Sequence, residues 1–73
     1  MLIGVPSEIK AQESRVGLTP ESVKQLVNHG HQVLVEDQAG HGAGFENSDY
    51  ANVGAKILKE ASDIFHDADL IIK

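Results

Sequence analysis

The sequence has no cysteine, few aromatic residues and few cationic residues. Its 73 residues include one tyrosine, two phenylalanines and no tryptophan, so the core of the folded chain has to be mainly aliphatic. The absence of cysteine excludes a disulfide framework and zinc sites built from thiolates. Six Lys and Arg against eleven Asp and Glu give a net charge of −5, which disfavours nucleic acid and anionic membrane surfaces as partners.

The sequence also lacks long apolar runs, and the chain is short. Nothing approaches the ~18 apolar residues of a membrane span, and the amino terminus does not read as a secretory leader. We therefore expect a cytoplasmic protein that binds neither membrane nor nucleic acid. Domains usually contain about 100 to 150 residues, and a chain this short buries only roughly 60% of its unfolded surface. We interpret the sequence as the first part of a larger α/β domain.

Four short apolar segments predict strands. Leu2–Val5 and Gln32–Glu36 lack polar alternation, which is typical of strands covered on both faces of a parallel sheet. A weak third strand is predicted over 55–58, and a strongly apolar fourth strand is predicted over 69–73. The pattern predicts an α/β fold with a parallel sheet and flanking helices, and it assigns residues 1–73 to a single incomplete domain.

The clearest predicted helix begins after Thr19. Thr19 is suited to cap the helix, and Pro20 occupies the first turn, where no N–H is missed. Leu18 and Val23 have the spacing of a hydrophobic staple around that start. Gly30 supplies the stop signal, because glycine readily adopts a positive φ. We therefore predict a helix that begins at Pro20 and ends before Gly30.

Two shorter helices are predicted from weaker signals. Asn47 or Ser48 is the expected cap of a helix that buries Tyr50 and Val53 and stops at Gly54. Residues 61–66 predict one or two helical turns with Ile64 and Phe65 facing inward. Helices therefore alternate with the predicted strands, as the βα units of a parallel sheet require.

The only arginine, Arg15, lies in a long polar connection after the first strand. Segment 7–17 is longer than the ~2 to 6 residues that usually join a strand to a helix, and such connections tend to be functional. Open α/β sheets bind ligands at the carboxyl ends of their strands, where a guanidinium can clamp a carboxylate through two charge-assisted hydrogen bonds. The alternative is a solvated arginine paired with Glu8 or Glu13, and taken alone the residue pattern favours it.

A glycine-rich stretch, 40–44, follows the second predicted strand. Glycines at such a position can let backbone N–H groups approach a phosphate. The spacing, however, misses the third glycine of the dinucleotide pattern G-x-G-x-x-G by one residue. A plain flexible turn is therefore the favoured interpretation.

The histidines do not form a recognisable metal motif. His29 ends a helix, whereas His31 begins a strand, and His41 completes no known ligand spacing with them. We interpret His29 as a helix-end residue and His66 as a surface residue, and we predict no metal site. Lys73, at the end of the last predicted strand, is suitably placed to meet an anion.

Several spaced motifs resemble one protein family. They are Gly4–Glu8 (GVPSE), Glu13–Pro20 (ESRVGLTP), Gly40–Phe45 (GHGAGF) and Asp67–Lys73 (DADLIIK). Together they are similar to the amino-terminal signature of alanine dehydrogenases and of the alpha subunit of proton-translocating pyridine nucleotide transhydrogenases. The resemblance runs from end to end, and the glycine-rich motif resembles the dehydrogenase branch more. Gln12 and Gly17 depart from the signature, which usually has Asn and Ala at those positions.

The dehydrogenase branch implies reversible oxidative deamination of L-alanine to pyruvate and ammonia with NAD, in a cytoplasmic homohexamer. Each subunit would have two Rossmann-like domains, and residues 1–73 would begin the substrate domain. The resemblance implies that Arg15 binds the substrate carboxylate, with Glu8 and Glu13 bracing its loop. The catalytic residues, a second substrate-contacting lysine and the NAD-binding domain would all follow Lys73, so the segment itself contains no catalytic, cofactor-binding or metal-binding residue.

Other functions stay open on the sequence alone. In the transhydrogenase alpha subunit, the same fold would bind NAD(H) beside a membrane partner, and no alanine would be turned over. Val-Lys-Glu-Pro directly after Lys73 would favour the dehydrogenase. The third interpretation is a small non-catalytic α/β module that is complete at 73 residues.

Overall fold

The computed structural model describes residues 1–7 and 17–72, so segment 8–16 and Lys73 lie outside the described residues. Strands and helices alternate along the described chain. The elements are β1 (Leu2–Val5), α1 (Pro20–Asn28), β2 (Gln32–Glu36), a 3₁₀ turn (His41–Ala43), α2 (Asn47–Ala51), β3 (Lys56–Leu58), α3 (Ala61–Asp67) and β4 (Leu70–Ile71). The predicted strands and helices are therefore present, and the last two strands are shorter than predicted.

The four strands form one parallel sheet in the order β3-β2-β1-β4. The chain builds from β1 to β2 and β3, and then crosses back through α3 to place β4 on the other side of β1. Gly4 lies at the centre of this arrangement, opposite Leu34 of β2 and Ile71 of β4. The sheet confirms the predicted α/β fold with a parallel sheet and flanking helices.

Helices cover both faces of the sheet. The main core lies between the sheet and the pair α1 and α2, and its most buried side chains are Ile3, Val5, Val23, Val33, Val35, Ala39, Tyr50 and Ala55. On the opposite face α3 packs against β1, and its Ile64 is fully buried as predicted. The central strands are therefore covered on both faces, which explains their unbroken apolar sequences.

Helix α1 begins where its sequence predicts. Thr19 is the N-cap, and its Oγ1 accepts a hydrogen bond from the backbone N–H of Ser22 at 3.2 Å. Pro20 is the first helical residue. Beyond the other end, Gly30 has φ +89°. The local signals at both ends of α1 therefore agree with the structure.

Helix α2 begins with a different cap from the one predicted. The N-cap is Glu46, whose backbone N–H donates to Oδ2 of Asp49 at 2.8 Å. Asn47 instead turns its side chain toward the end of β2, where its Oδ1 accepts from the N–H of Gln38 at 2.9 Å. The prediction of Asn47 or Ser48 as the cap is wrong because Asp49 supplies the reciprocal bond of a capping box from inside the helix.

The described helices are short, with nine residues in α1, five in α2 and seven in α3. Across residues 1–7 and 17–72, no helix combines the length and the apolar character that crossing a membrane requires. The helices serve instead to cover the sheet, since α1 and α2 close one face and α3 closes the other.

Candidate functional site

The strand order creates a switch point between β1 and β4. The connection after β1 leads away to α1 and β2 on one side, whereas β4 pairs with β1 on the other side. In open parallel sheets, such a reversal leaves a crevice beyond the carboxyl ends of the two strands, and ligands bind there. Val5 and Ile71 end the two strands at this crevice. We therefore identify this edge as the candidate functional site.

Both described ends of segment 8–16 lie at this edge. At the departing end, the backbone N–H of Ser7 donates to Oε1 of Glu36 at 2.7 Å. At the returning end, a Cβ added to Gly17 would lie 2.5 Å from the carbonyl oxygen of Ile72. Glycine therefore lets the returning backbone lie directly against Ile72, the residue after β4.

Tyr50 holds the returning end from within the core. Its hydroxyl donates to the carbonyl oxygen of Leu18 at 2.8 Å, and its side chain is fully buried. The ring makes an edge-to-face contact with Phe45, with 6.3 Å between the ring centroids. Burial, and then the neighbouring Asp49 carboxylate, raise the pKa of the Tyr50 hydroxyl above its ordinary value of 10.0. The hydroxyl is therefore a protonated donor at neutral pH.

The glycine-rich turn after β2 is occupied by protein side chains. A Cβ at Gly40 would lie 2.6 Å from the hydroxyl oxygen of Tyr50 and 3.0 Å from Cβ of Phe45. Gly44 has φ +90°, a conformation that residues with side chains rarely adopt. These glycines therefore serve local packing and backbone geometry. At Gly40, Tyr50 fills the space that a phosphate-binding turn would leave for its ligand, so this part of the turn fits a dinucleotide poorly.

The described residues that flank the switch point carry no side-chain charge. They are Pro6, Ser7, Gly17, Leu18 and Ile72. Glu36, which contacts Ser7, is an anion. A carboxylate bound in the crevice would need a cation from segment 8–16, from Lys73 or from another part of the protein, since an unpaired buried charge is costly. The predicted site residues Arg15, Glu8, Glu13 and Lys73 all lie outside the described residues.

The histidines make separate local contacts. Nδ1 of His29 lies 2.7 Å from the carbonyl oxygen of Gln25 at the end of α1, in agreement with a helix-end role. Nδ1 of His66 lies 2.9 Å from Oδ1 of Asp67, and both side chains are exposed. Among the residues that the structure describes, no three His, Asp or Glu side chains come together in a way that could hold a metal ion.

Sequence reasoning missed Glu36 and the hydroxyl of Tyr50 as parts of the candidate site. The sequence assigned Glu36 only to the end of a strand and Tyr50 only to the core. A signal was available for each, because Glu36 ends a strand at the ligand-binding edge and a buried tyrosine hydroxyl normally needs a partner. Their partners lie 29 and 32 residues away along the chain, and no local pattern encodes such a pairing.

The sequence matches a known protein family over residues 4–73, described as "Alanine dehydrogenase/PNT, N-terminal domain". Over all 73 residues it is 51% identical to the alanine dehydrogenase of Bacillus subtilis (strain 168) and 53% identical to that of Staphylococcus epidermidis (strain ATCC 12228 / FDA PCI 1200). The chain spans 19% of the length of each of these relatives.

Solved structures extend the comparison to the fold. An L-alanine dehydrogenase matches all of this chain with a TM-score of 0.96 at 51% identity, and the match covers 20% of that chain. A transhydrogenase from Sinorhizobium meliloti matches 97% of this chain with a TM-score of 0.89 at 34% identity, and the match covers 21% of that chain. Because the family match takes in nearly the whole sequence and the strand order and fold agree with it, the chain belongs to the alanine dehydrogenase/PNT N-terminal domain family.

Proposed function

We propose that residues 1–73 begin the substrate domain of an NAD-dependent alanine dehydrogenase. The reaction is the reversible oxidative deamination of L-alanine to pyruvate and ammonia. The observation that carries this proposal is the switch point between β1 and β4, since one described end of segment 8–16 follows β1 and the other lies against Ile72 after β4. The 51% identity to an alanine dehydrogenase over the whole chain supports the choice of reaction.

Arg15 binds the substrate carboxylate in this proposal. Covalent geometry supports the assignment, because Arg15 and Gly17 are two residues apart, which limits their Cα atoms to about 7 Å of separation. A guanidinium near the crevice supplies the positive charge that the described flanking residues lack. Two parallel hydrogen bonds to the carboxylate fix the orientation of the substrate, so the α-carbon is held in one direction for reaction.

The cofactor, the assembly and the location belong to the same proposal. NAD is bound by residues beyond position 73, in agreement with the poor fit of the glycine-rich turn to a dinucleotide. The complete protein is a cytoplasmic homohexamer whose small-molecule partners are L-alanine and pyruvate. The net charge of −5 supports the expectation that nucleic acid and anionic membranes are not partners.

The transhydrogenase alpha subunit is the second candidate function. The match to the Sinorhizobium meliloti transhydrogenase, with a TM-score of 0.89, favours it over unrelated functions. The lower identity, 34% against 51%, ranks it below the dehydrogenase. Alanine-dependent reduction of NAD by the complete protein supports the dehydrogenase, whereas hydride exchange between nucleotides without alanine turnover supports the transhydrogenase.

We call the two parallel hydrogen bonds from Arg15 to the substrate carboxylate the carboxylate clamp. The clamp predicts that Arg15→Ala weakens pyruvate binding strongly in the complete enzyme. Losing two charge-assisted hydrogen bonds, each contributing about 1.5 to 3 kcal/mol, should raise the KM for pyruvate by roughly a hundredfold or more. Steady-state kinetics of reductive amination, with pyruvate, ammonium and NADH varied in turn, measures the effect.

Arg15→Lys is the matched control for charge. Lysine keeps the positive charge but cannot form the two parallel bonds, so its pyruvate KM should fall between those of the original enzyme and Arg15→Ala. The KM for NADH should be unchanged in both variants. An unchanged pyruvate KM in Arg15→Ala would remove Arg15 from the substrate site.

A further inference from the structure

Both ends of segment 8–16 are held by side chains from distant parts of the sheet and its helices. Glu36, at the carboxyl end of β2, holds Ser7 before the segment. Tyr50, in α2, holds Leu18 after it. The function proposed above uses neither side chain. Each of them contacts the backbone of the connection that carries Arg15, so each can control where that connection lies.

The hydrogen bond between Glu36 and the backbone of Ser7 is short and charge-assisted. The carboxylate accepts from the N–H of Ser7 at 2.7 Å, within the short range of charge-assisted bonds, and Glu36 is half-buried. Pro6 has no N–H, so Ser7 provides the first backbone donor after β1. The bond therefore fixes the direction in which the chain leaves the sheet.

The Tyr50 contact depends on the hydroxyl group. A phenylalanine would fill most of the same buried volume and would keep the edge-to-face contact with Phe45. The hydroxyl adds the bond to the Leu18 carbonyl, and Gly40 leaves room for it, since a Cβ at Gly40 would lie 2.6 Å from the hydroxyl oxygen. Leu18 directly precedes Thr19, the N-cap of α1, so the bond fixes the point at which the segment enters the helix.

We propose that Glu36 and Tyr50 are positioning residues for substrate binding, acting through the connection that carries Arg15. The inference rests on the proposed function, and it adds that the clamp is aligned by these two anchors. A bidentate carboxylate contact is sensitive to small displacements, and misplacement by about 1 Å can cost a hundredfold in rate. Releasing either anchor should therefore weaken binding of the substrate carboxylate without touching the cofactor.

The first test is Tyr50→Phe in the complete enzyme. Loss of one neutral hydrogen bond should raise the pyruvate KM roughly three- to tenfold, with a smaller change in kcat and no change in the KM for NADH. Val27→Ala is the matched control, because Val27 is half-buried against the same core and lies beside Gly54, where an added Cβ would be 3.0 Å from its Cγ1. It should lower Tm to a similar extent and leave the pyruvate KM unchanged.

The second test uses Glu36 and a conservative rescue. Glu36→Ala removes a charge-assisted bond and should raise the pyruvate KM by roughly tenfold or more. Glu36→Gln keeps an oxygen acceptor for the Ser7 N–H and should restore most of the loss. Equal defects in the two variants would contradict a role through this hydrogen bond.

An Arg15→Ala background separates failure of the inference from failure of the proposed function. If the anchors act through Arg15, Tyr50→Phe should raise the pyruvate KM in the original enzyme and add nothing in the Arg15→Ala background. If Arg15→Ala raises the KM but Tyr50→Phe and Glu36→Ala behave like Val27→Ala, the positioning role is wrong and the clamp stands. If Arg15→Ala leaves the pyruvate KM unchanged, the clamp itself is wrong.

Discussion

Tyr50 combines three local roles in one side chain. It fills the core, limits what can occupy the neighbouring Gly40 position and donates to the Leu18 carbonyl. A buried hydroxyl is stabilising only while it has a partner, and an ionised hydroxyl could not donate to a carbonyl. Burial, and then the Asp49 carboxylate, raise the pKa of Tyr50, so the hydroxyl keeps the proton that it donates to the Leu18 carbonyl.

This titration predicts a loss of stability in alkali that depends on Tyr50. Because the pKa in the folded state lies above 10.0, the unfolded chain releases this proton first as the pH rises. The contribution is therefore fully present below pH ~10 and is lost as the pH rises through the folded-state pKa. Between pH 9 and 11, Tm should fall more steeply in the original enzyme than in Tyr50→Phe. Parallel declines in the two proteins would contradict the assignment.

Glycines set how closely the elements approach one another and where they end. On one face, α3 lies so near β1 that a Cβ at Gly4 would collide with Ile64 and would lie 3.0 Å from both Cβ of Ala68 and Cδ1 of Ile71. At the end of α1, Gly30 has φ +89° and nothing within 4 Å of an added Cβ. Gly4 is required because there is no room for a side chain, and Gly30 is required because of its positive φ.

Substitution of Gly4 tests the packing of α3 on β1. Gly4→Ala should lower the free energy of unfolding by about 1 to 3 kcal/mol, because the added methyl group forces α3 away from the sheet. Thermal and urea unfolding measure the loss.

Gly30→Ala and Gly30→Asn are the matched controls for this experiment. Alanine at position 30 should cost about 1 kcal/mol through its positive φ alone, and asparagine, which tolerates that conformation, should recover part of the loss. At Gly4, asparagine should be worse than alanine, because it is larger. A full recovery by Gly4→Asn would contradict close packing as the reason for the glycine.

The elements that the sequence predicted best are those whose signals are local. Helix α1 has a capping threonine, an early proline and a terminal glycine within one short stretch, and its limits follow from them. The cap of α2 was missed because Asp49 makes its bond from inside the helix. The 3₁₀ turn at His41–Ala43 is closed by the local bond from the N–H of Gly44 to the carbonyl of His41, and the sequence was interpreted there only as a plain turn. The shortening of β4 to Leu70–Ile71 reflects its pairing with β1, which no local pattern reveals.

The order of the strands is what converts these elements into a candidate site. A sequence predicts parallel strands from their apolar runs, but it does not encode that β4 lies beside β1 and not beside β3. The resemblance of Arg15 and its neighbours to the family signature points to the connection after β1, and this assignment stays a prediction because Arg15 lies outside the described residues. The anchors of that connection come from β2, α2 and the residue after β4, and they converge only in the folded chain.

The most direct test of the account is a crystal structure of the complete protein with pyruvate bound. The account predicts the pyruvate carboxylate in the crevice beyond β1 and β4, with both terminal nitrogens of Arg15 within hydrogen-bonding distance of its oxygens, and with the Glu36–Ser7 and Tyr50–Leu18 bonds intact. Pyruvate bound elsewhere, or in the crevice with the Arg15 guanidinium turned away from it, would contradict the claim that this switch point is the substrate site.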